Sequence, residues 1–329
     1  YSAIVAENAT PDTINAEKQK FVERENAVEK FMQESIGEIN VNEVNAGYKA
    51  EEKASTYSIL LALQKMGVFQ KDKTYTIEKI KAPVISKYHY LVTQWLGYLL
   101  AEKFIEQQGD SYVCRIDATE QEKEKLWNDA YKVWNGEYIA KDFLEYVKLN
   151  GDNLAEIAQG KVDPGKFLYA EEGDKYRYTD SLYVKNKIMQ IAFKTLAKYL
   201  KQILAENPER TIRILEVGAG TGSATRYLLP ALKGYKFEYY FTDYLKHFFP
   251  TAQEMFKDYP ELVFKQLDLN EDFHKQGLKS NSFDIVFGGY VMDNAIDFGK
   301  TLEQIEDIIV PGGHFMFLES YELSAWITI

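Results

Sequence analysis

Apolar positions in the first 150 residues recur at helical spacing. Val28, Phe31 and Met32 share one face of a charged helix that opens near Thr13. A second helix runs through Ile59, Leu60, Leu63 and Met66 and stops at Gly67. A third carries Tyr88, Leu91, Trp95, Leu99 and Leu100. It leads into FIEQQGDSYVCRI, two short runs about Gly109-Asp110 that predict a hairpin. Helix, helix and hairpin in that order resemble a winged helix. A further helix is marked by Leu126, Trp127, Ala130 and Trp134.

The periodicity fades over residues 151–180, where Gly, Pro, charge and tyrosine mix as in loops. A long helix then spans about Ser181 to Ala205, with Ile188, Ala192, Leu196, Tyr199 and Ile203 on one face. From Thr211 the pattern becomes strand–helix alternation. IRILEV, FEYYFTD, LVFKQLD, FDIVFGG and HFMFLES read as strands. TRYLLPAL, the segment of Phe249, Ala252 and Phe256, and the segment of Phe298, Leu302, Ile305 and Ile309 read as helices. Such alternation predicts an α/β fold, a parallel sheet with helices on both faces.

Glu216-Val217-Gly218-Ala219-Gly220-Thr221-Gly222 directly follows the first of these strands and opens a helix. Glycines at alternate positions let the backbone turn tightly and approach a ligand closely. The start of the next helix presents free N–H groups. Taken alone, the string also fits a plain turn. It departs from the dinucleotide fingerprint G-x-G-x-x-G: the third glycine falls one residue early, and Ser223 holds its place. Asp243 ends the second strand, where a carboxylate can accept both hydroxyl protons of a ribose. Asp268 ends the third, where it can receive an adenine amino group. Singly, each aspartate fits a loop cap. Together the three features line the carboxyl edge of one sheet, where open α/β sheets bind ligands.

Composition narrows the partners. Hydrophobic residues at 46% and charged residues at 27% are ordinary globular values, which excludes a disordered or fibrous chain. The 50 acidic against 39 basic residues leave a net charge of −11, which repels nucleic-acid phosphates. The winged-helix-like segment is therefore expected to pack or act as a lid. No apolar run approaches the ~20 residues of a membrane span, and no signal-peptide pattern occurs. The single cysteine, Cys114, excludes an internal disulfide framework and fits a reducing compartment, the cytoplasm. His89, His247, His274 and His314 show no i, i+4 pair, and no metal site is expected.

ILEVGAGTGS, the strand-end Asp243, LDLN about Asp268 and VPGGHFMFLE together resemble the class I, Rossmann-like S-adenosylmethionine-dependent methyltransferases. Over roughly residues 140–320 the chain is similar to the C-methyltransferase domains of polyketide synthases. GDNLAEIAQGKVDPGKFLY, YTDSLYVKNKIMQIAF, YYFTDYLKHFFPTAQEMFKDYP and NSFDIVFGGYVMDNAIDFGKTLEQIEDIIVPGG carry this similarity. The resemblance implies a Rossmann-like core behind a mainly helical N-terminal lid. It places Glu216, Gly218, Gly220 and Gly222 around the methionine part of S-adenosylmethionine. Asp243 would take the ribose and Asp268 the adenine, with Tyr178, Tyr244, Leu269 and Gly289 completing the cofactor-binding set. The implied reaction leaves S-adenosylhomocysteine and methylates the α-carbon of an acyl thioester. That acyl group is phosphopantetheine-linked to an acyl carrier protein, with neighbouring synthase domains as further partners and neither nucleic acid nor membrane involved.

The sequence departs from that family after the fourth strand. There the family carries a histidine base in a VLHA-like string, paired with a glutamate at the end of the fifth strand. This chain reads Val291-Met292-Asp293-Asn294-Ala295, so Asp293 holds the histidine position, while Glu319 matches the glutamate. A free imidazole (pKa near 6.5) takes a proton at neutral pH; an exposed aspartate (near 3.9) is a much weaker base. Two routes would restore the chemistry. Burial and Glu319 could make Asp293 more basic. Alternatively, a malonyl-type thioester could lose CO2 and generate the enolate with no base. A third outcome is simple loss of activity. Tyr290 could donate to the thioester oxygen and stabilise an enolate, though it equally fits packing. Tyr169, Tyr176 and Tyr183 fit ordinary surface positions better than a cover over the cofactor. Two other functions compete: a small-molecule O-methyltransferase and a non-catalytic S-adenosylmethionine-binding module of a synthase.

The expected organisation is a helical lid over residues 1–150, a connecting segment and long helix over 151–205, and the core over 206–329. Five strands precede Ser320, whereas the resemblance implies seven, with AWITI as a candidate late strand. The chain therefore reads as an excerpt of a longer synthase.

Overall fold

The structure is a computed structural model that describes residues 10–134, 136–168, 176–319 and Ala325. Tyr169 and residues 326–329 of the expected late strand lie outside the described residues. The chain forms two compact units, Tyr1–Glu38 with Ile188–Tyr321 and Ile39–Lys187 with Glu322–Ile329.

Helix α1 (Pro11–Ile36) begins on a proline, whose missing N–H costs nothing in a first turn. It groups with the C-terminal sheet, so residues 1–150 do not fall in one unit. The reason is a buried arginine. Arg24 donates from Nη1 to His314 Nε2 (3.2 Å) and from Nε to the Lys20 carbonyl (3.2 Å), with Glu206 at 3.7 Å. Its guanidinium also lies over the Tyr199 ring.

The second unit is built around α2 (Val41–Lys65), capped by Asn40, whose Oδ1 accepts the Glu43 N–H. Residues 54–63 of α2 are buried all round, as in a central helix. Then come β1 (Thr74–Thr76), α3 (Ile77–Lys81), α4 (His89–Ala101), β2 (Ile105–Gln108) and β3 (Ser111–Cys114). The expected hairpin is present, with Gly109 at positive φ in its turn. The polar, three-residue β1 adds a third antiparallel strand in the order β1-β3-β2. Next are α5 (Glu120–Val133), α6 (Lys141–Asp152), α7 (Leu154–Ala158), α8 (Gly165–Leu168) and α9 (Arg177–Tyr183). Trp95, Leu99, Ile59 and Phe69 form one core; Trp127, Phe143, Leu144 and Val147 form another.

The single helix expected over 181–205 is two, α9 and α10 (Lys187–Glu206), because the chain turns at 184–186, where the Val184 and Lys185 N–H groups both reach the Asp180 carbonyl. β4 (Ile212–Val217), α11 (Thr225–Leu232), β5 (Phe237–Asp243), α12 (Phe249–Met255), β6 (Leu262–Gln266), β7 (Phe283–Gly289), α13 (Phe298–Ile308) and β8 (Ile309–Leu318) follow. The sheet is parallel, in the order β6-β5-β4-β7-β8. Ile309 was expected on the last helix but opens β8 opposite Phe283. Leu215, Val217, Val286, Ile305 and Ile308 pack between the sheet and α13. Strand order reverses between β4 and β7, which puts a crevice at their carboxyl ends.

Burial beside Arg24 pushes the His314 imidazole down from 6.5 to about 4, so it stays neutral and accepts a hydrogen bond from the guanidinium. A group with a depressed folded pKa supplies stability above its unfolded pKa and loses it as pH falls through the folded one. Unfolding followed in urea should therefore show stability declining from pH 6.5 toward 4. His314→Gln should flatten that slope; an unchanged slope would mean that the pair does not fasten α1.

Candidate active site at the switch of the sheet

The glycine loop connects β4 to α11 and meets the loop after β7. Gly218, Gly220 and Gly222 all have positive φ, at 65°, 53° and 76°. Two of them are also needed for space. A Cβ on Gly218 would lie 2.8 Å from Val291 Cβ and overlap its Cγ2. A Cβ on Gly222 would lie 2.7 Å from the Phe256 ring. Gly220 differs: the nearest atom to a Cβ there is the Gly218 carbonyl, 4.0 Å away. The loop is thus packed tightly at both ends and open at its middle glycine. On the β7 side, a Cβ on Gly288 would lie 2.7 Å from Val291 Cγ1.

Glu216 braces this loop from the core. It is buried, and its Oε2 accepts from Thr225 Oγ1 (2.5 Å) and Tyr239 OH (2.7 Å). Burial pushes its carboxyl up to about 7, against those two hydrogen bonds. Asp243, also buried, ties the loop to the end of β5: Oδ2 accepts the Gly220 N–H (2.9 Å) and Oδ1 the Leu245 N–H (2.7 Å). Burial raises its pKa, and the two N–H bonds oppose the rise. An ionised carboxylate has about four lone-pair sites. Two are used here, which leaves capacity for a vicinal pair of hydroxyls.

Asp268 follows β6 and is half-buried; its Oδ1 accepts the Asn270 N–H (2.9 Å), and its own N–H is held by Gln276 Oε1 (2.7 Å). Leu269 is buried beside it, while Tyr244 beyond β5 is exposed. Asn270 bridges to the next loop, accepting the Ile296 N–H (2.7 Å) and donating to the Asn294 carbonyl (3.3 Å). The loops after β4, β5, β6 and β7 are therefore tied together at one edge of the sheet.

After Gly289, Tyr290 adopts φ 57°, rare for a bulky residue, with its N–H on the Leu318 carbonyl (2.7 Å). Its phenol pKa is raised by burial first and by Glu319 second, so the hydroxyl keeps its proton. Glu319 Oε1 accepts the N–H groups of both Val291 (3.0 Å) and Met292 (2.7 Å), capping the 3-10 turn Met292–Asn294. Burial raises its pKa, opposed by the Met292 N–H, while Asp293 pushes it further up. Asp293 itself is exposed, and Asn294 Nδ2 donates to its Oδ1 at 3.2 Å. Tyr178 lies in the other unit, against Tyr146 and the Arg177 guanidinium. His247 is exposed and packs on Phe248.

This site is matched by known proteins. Residues 215–315 match the family described as a methyltransferase domain. The chain carries a class I S-adenosylmethionine-dependent methyltransferase domain. It is 29% identical over 216 residues to the PKS-NRPS hybrid synthetase cheA of Chaetomium globosum, covering 65% of this chain and 4% of that protein. Its fold is that of the CurJ carbon methyltransferase: TM-score 0.84, 23% identity, 93% of this chain and 81% of that one. The citrinin polyketide synthase CMeT domain gives a TM-score of 0.75 at 20% identity, covering 100% and 84%. The methyltransferase chain thus spans only a small part of the synthetase it matches.

The residues present fit the cofactor of this class. A glycine cradle that side chains would fill sits over a buried carboxylate with acceptor capacity to spare. Sequence reasoning missed Val291, the shared packing partner of Gly218 and Gly288, and Thr225 and Tyr239, the donors to Glu216. Nothing in one dimension marks them, because the pairings of Val291 with Gly218 and of Thr225 and Tyr239 with Glu216 each span at least nine residues and two elements.

Two outcomes follow. Gly218→Ala must bear a positive φ, costing about 1–2 kcal/mol, and clash with Val291. Calorimetry should show S-adenosylmethionine affinity lowered at least tenfold; unchanged affinity would refute the cradle. A carboxyl whose folded pKa is raised, as at Glu216, favours folding most below its unfolded pKa and loses that advantage as pH rises through the folded one. Glu216→Gln should match the wild type near pH 4.5 and be more stable than it above about pH 7. Equal stability at pH 8 would show that Glu216 is not strained by ionisation.

Proposed function

We propose that this methyltransferase is a C-methyltransferase domain of a polyketide synthase. It methylates the α-carbon of an acyl thioester held on an acyl carrier protein, alongside neighbouring synthase domains in a reducing cytoplasm. One observation carries the mechanistic part. The loop after β7 offers a protonated phenol and an exposed carboxylate, Asp293, but no imidazole or amine, and Glu319, which caps that loop from the end of β8, is engaged by two backbone N–H groups.

In this reading Gly218, Gly220, Gly222 and Gly289 hold the methionine end of S-adenosylmethionine, and Glu216 stiffens the loop from behind. Asp243 with Tyr244 receives the ribose, and Asp268 with Leu269 the adenine. Family resemblance alone adds Tyr178 to this set. The bound cofactor supplies an electrophilic methyl group and leaves as S-adenosylhomocysteine. Tyr290 donates its hydroxyl proton in a hydrogen bond to the thioester oxygen. Its strained φ fits a side chain held where function needs it. Glu319 fixes the turn that follows and is a positioning residue.

Carbon acidity decides the substrate. An α-proton next to a thioester requires a base better than an exposed aspartate. A malonyl-type thioester requires none: its C–CO2 bond breaks, the electron pair stays on the α-carbon, and CO2 leaves. The developing charge on the thioester oxygen is met by Tyr290. The α-carbon would then bond to the methyl carbon as the methyl's bond to the cofactor sulfur breaks, that electron pair staying on sulfur. Decarboxylation and C-methylation are therefore coupled at this site.

Intact-mass analysis of loaded carrier protein tests this reading. A malonyl-loaded carrier should lose CO2 and gain one methyl, and a non-carboxylated acyl carrier should react far more slowly. Equal methylation of the two would refute the coupling. Cofactor binding without any methyl transfer would instead identify a non-catalytic module. Tyr290→Phe should lower kcat about 100- to 1,000-fold, the usual cost of one oxyanion donor. Its affinity for S-adenosylmethionine should not change; a normal kcat would return Tyr290 to a packing role.

A further inference from the structure

Lys194, Lys198 and Lys201 stand on one face of α10, at i, i+4 and i+7, and all three are exposed. They line a groove of about 510 Å³ between α10 and α11, floored by Ala197 and walled by Tyr227 and Tyr235. The lining holds three cations and no carboxylate, in a chain whose net charge is −11. Lys198 Nζ also sits over the Phe31 ring of α1, at 4.7 Å. Seven helical residues span about 10 Å, so the charges form a stripe rather than a point.

Buried Phe193 links the groove wall to the site. Phe193, one residue before Lys194, stacks on Tyr227 at 5.9 Å between ring centroids. Its ring also lies 3.7 Å from where a Gly289 Cβ would stand. The stripe thus starts beside the residue that precedes Tyr290 and runs away along α10.

We infer that this groove is the docking surface for the carrier protein, receiving an acidic helix of that partner against Lys194, Lys198 and Lys201. The inference rests on the acyl-carrier reading above and adds the surface used. A local positive stripe steers a negatively charged partner toward this face. The small Ala197 leaves room for a helix to approach, and the tyrosines supply contact surface with a polar end.

The test separates docking from chemistry. Binding of a fluorescently labelled, acidic phosphopantetheinylated acyl carrier protein is followed by anisotropy at low and high salt. The wild type is compared with K194Q/K198Q/K201Q and with K194E/K198E/K201E, each checked for folding by circular dichroism. Methyl transfer to a malonyl-pantetheine thioester, which has no carrier protein, is measured alongside. The inference expects at least tenfold weaker carrier binding in the neutralised variant and a greater loss in the reversed one. It also expects a salt-sensitive wild type, malonyl-pantetheine turnover within twofold of normal, and partial rescue of the reversed variant by a carrier with lysines in place of its helix carboxylates. Unchanged binding in either variant would overturn it. So would full displacement of the carrier by free phosphopantetheine, because the arm alone would then account for binding. Failure of the wild type to methylate malonyl-pantetheine would count against the functional reading, whereas the docking result stands or falls on anisotropy.

Discussion

The rest of the site depends on how closely two loops approach each other at the switch between β4 and β7. Val291 fills the space that side chains at Gly218 and Gly288 would need. Because interiors are close-packed, that contact leaves little freedom on either side. It joins the loop proposed to cradle the methyl donor to the loop proposed to face the acceptor. Glu319 fixes the same joint from β8 by accepting the Val291 and Met292 N–H groups, and Tyr290 takes its strained backbone between them. The two loops are therefore one packed object, a requirement for reactions that rely on positioning.

Electrostatics at this edge follows from burial. Glu216, Asp243 and Glu319 are all pushed toward their neutral forms, each with burial as the leading cause. Each is held by hydroxyl or backbone donors that favour its charged form, so none is idle enough to serve as a free base. Tyr290 is shifted the same way and stays a donor. A substrate that brings its own electron pair to the α-carbon fits such an environment.

Much of this was legible in the chain itself. The strands IRILEV, FEYYFTD and FDIVFGG match β4, β5 and β7 residue for residue, because buried parallel strands are continuous apolar runs. The glycine string and the strand-end acids Asp243 and Asp268 also declared themselves, since special φ values and strand-end carboxylates leave marks in sequence. What stayed hidden was tertiary. Helical spacing put Ile309 on α13, but pairing with Phe283 drew it into β8. α1 read as part of the lid, but buried Arg24 binds it to His314, 290 residues away. Asp293 could have been buried or exposed; only the turn capped by Glu319 decides that it is exposed.

The account's central claim is that the electron pair reaching the methyl group comes from a broken C–CO2 bond. The direct measurement is the yield of labelled CO2 from carboxyl-13C malonyl carrier protein, set against methyl groups transferred in the same single turnover. The account predicts one CO2 released for each methyl transferred. A methylated product that retains its labelled carboxyl group would contradict it.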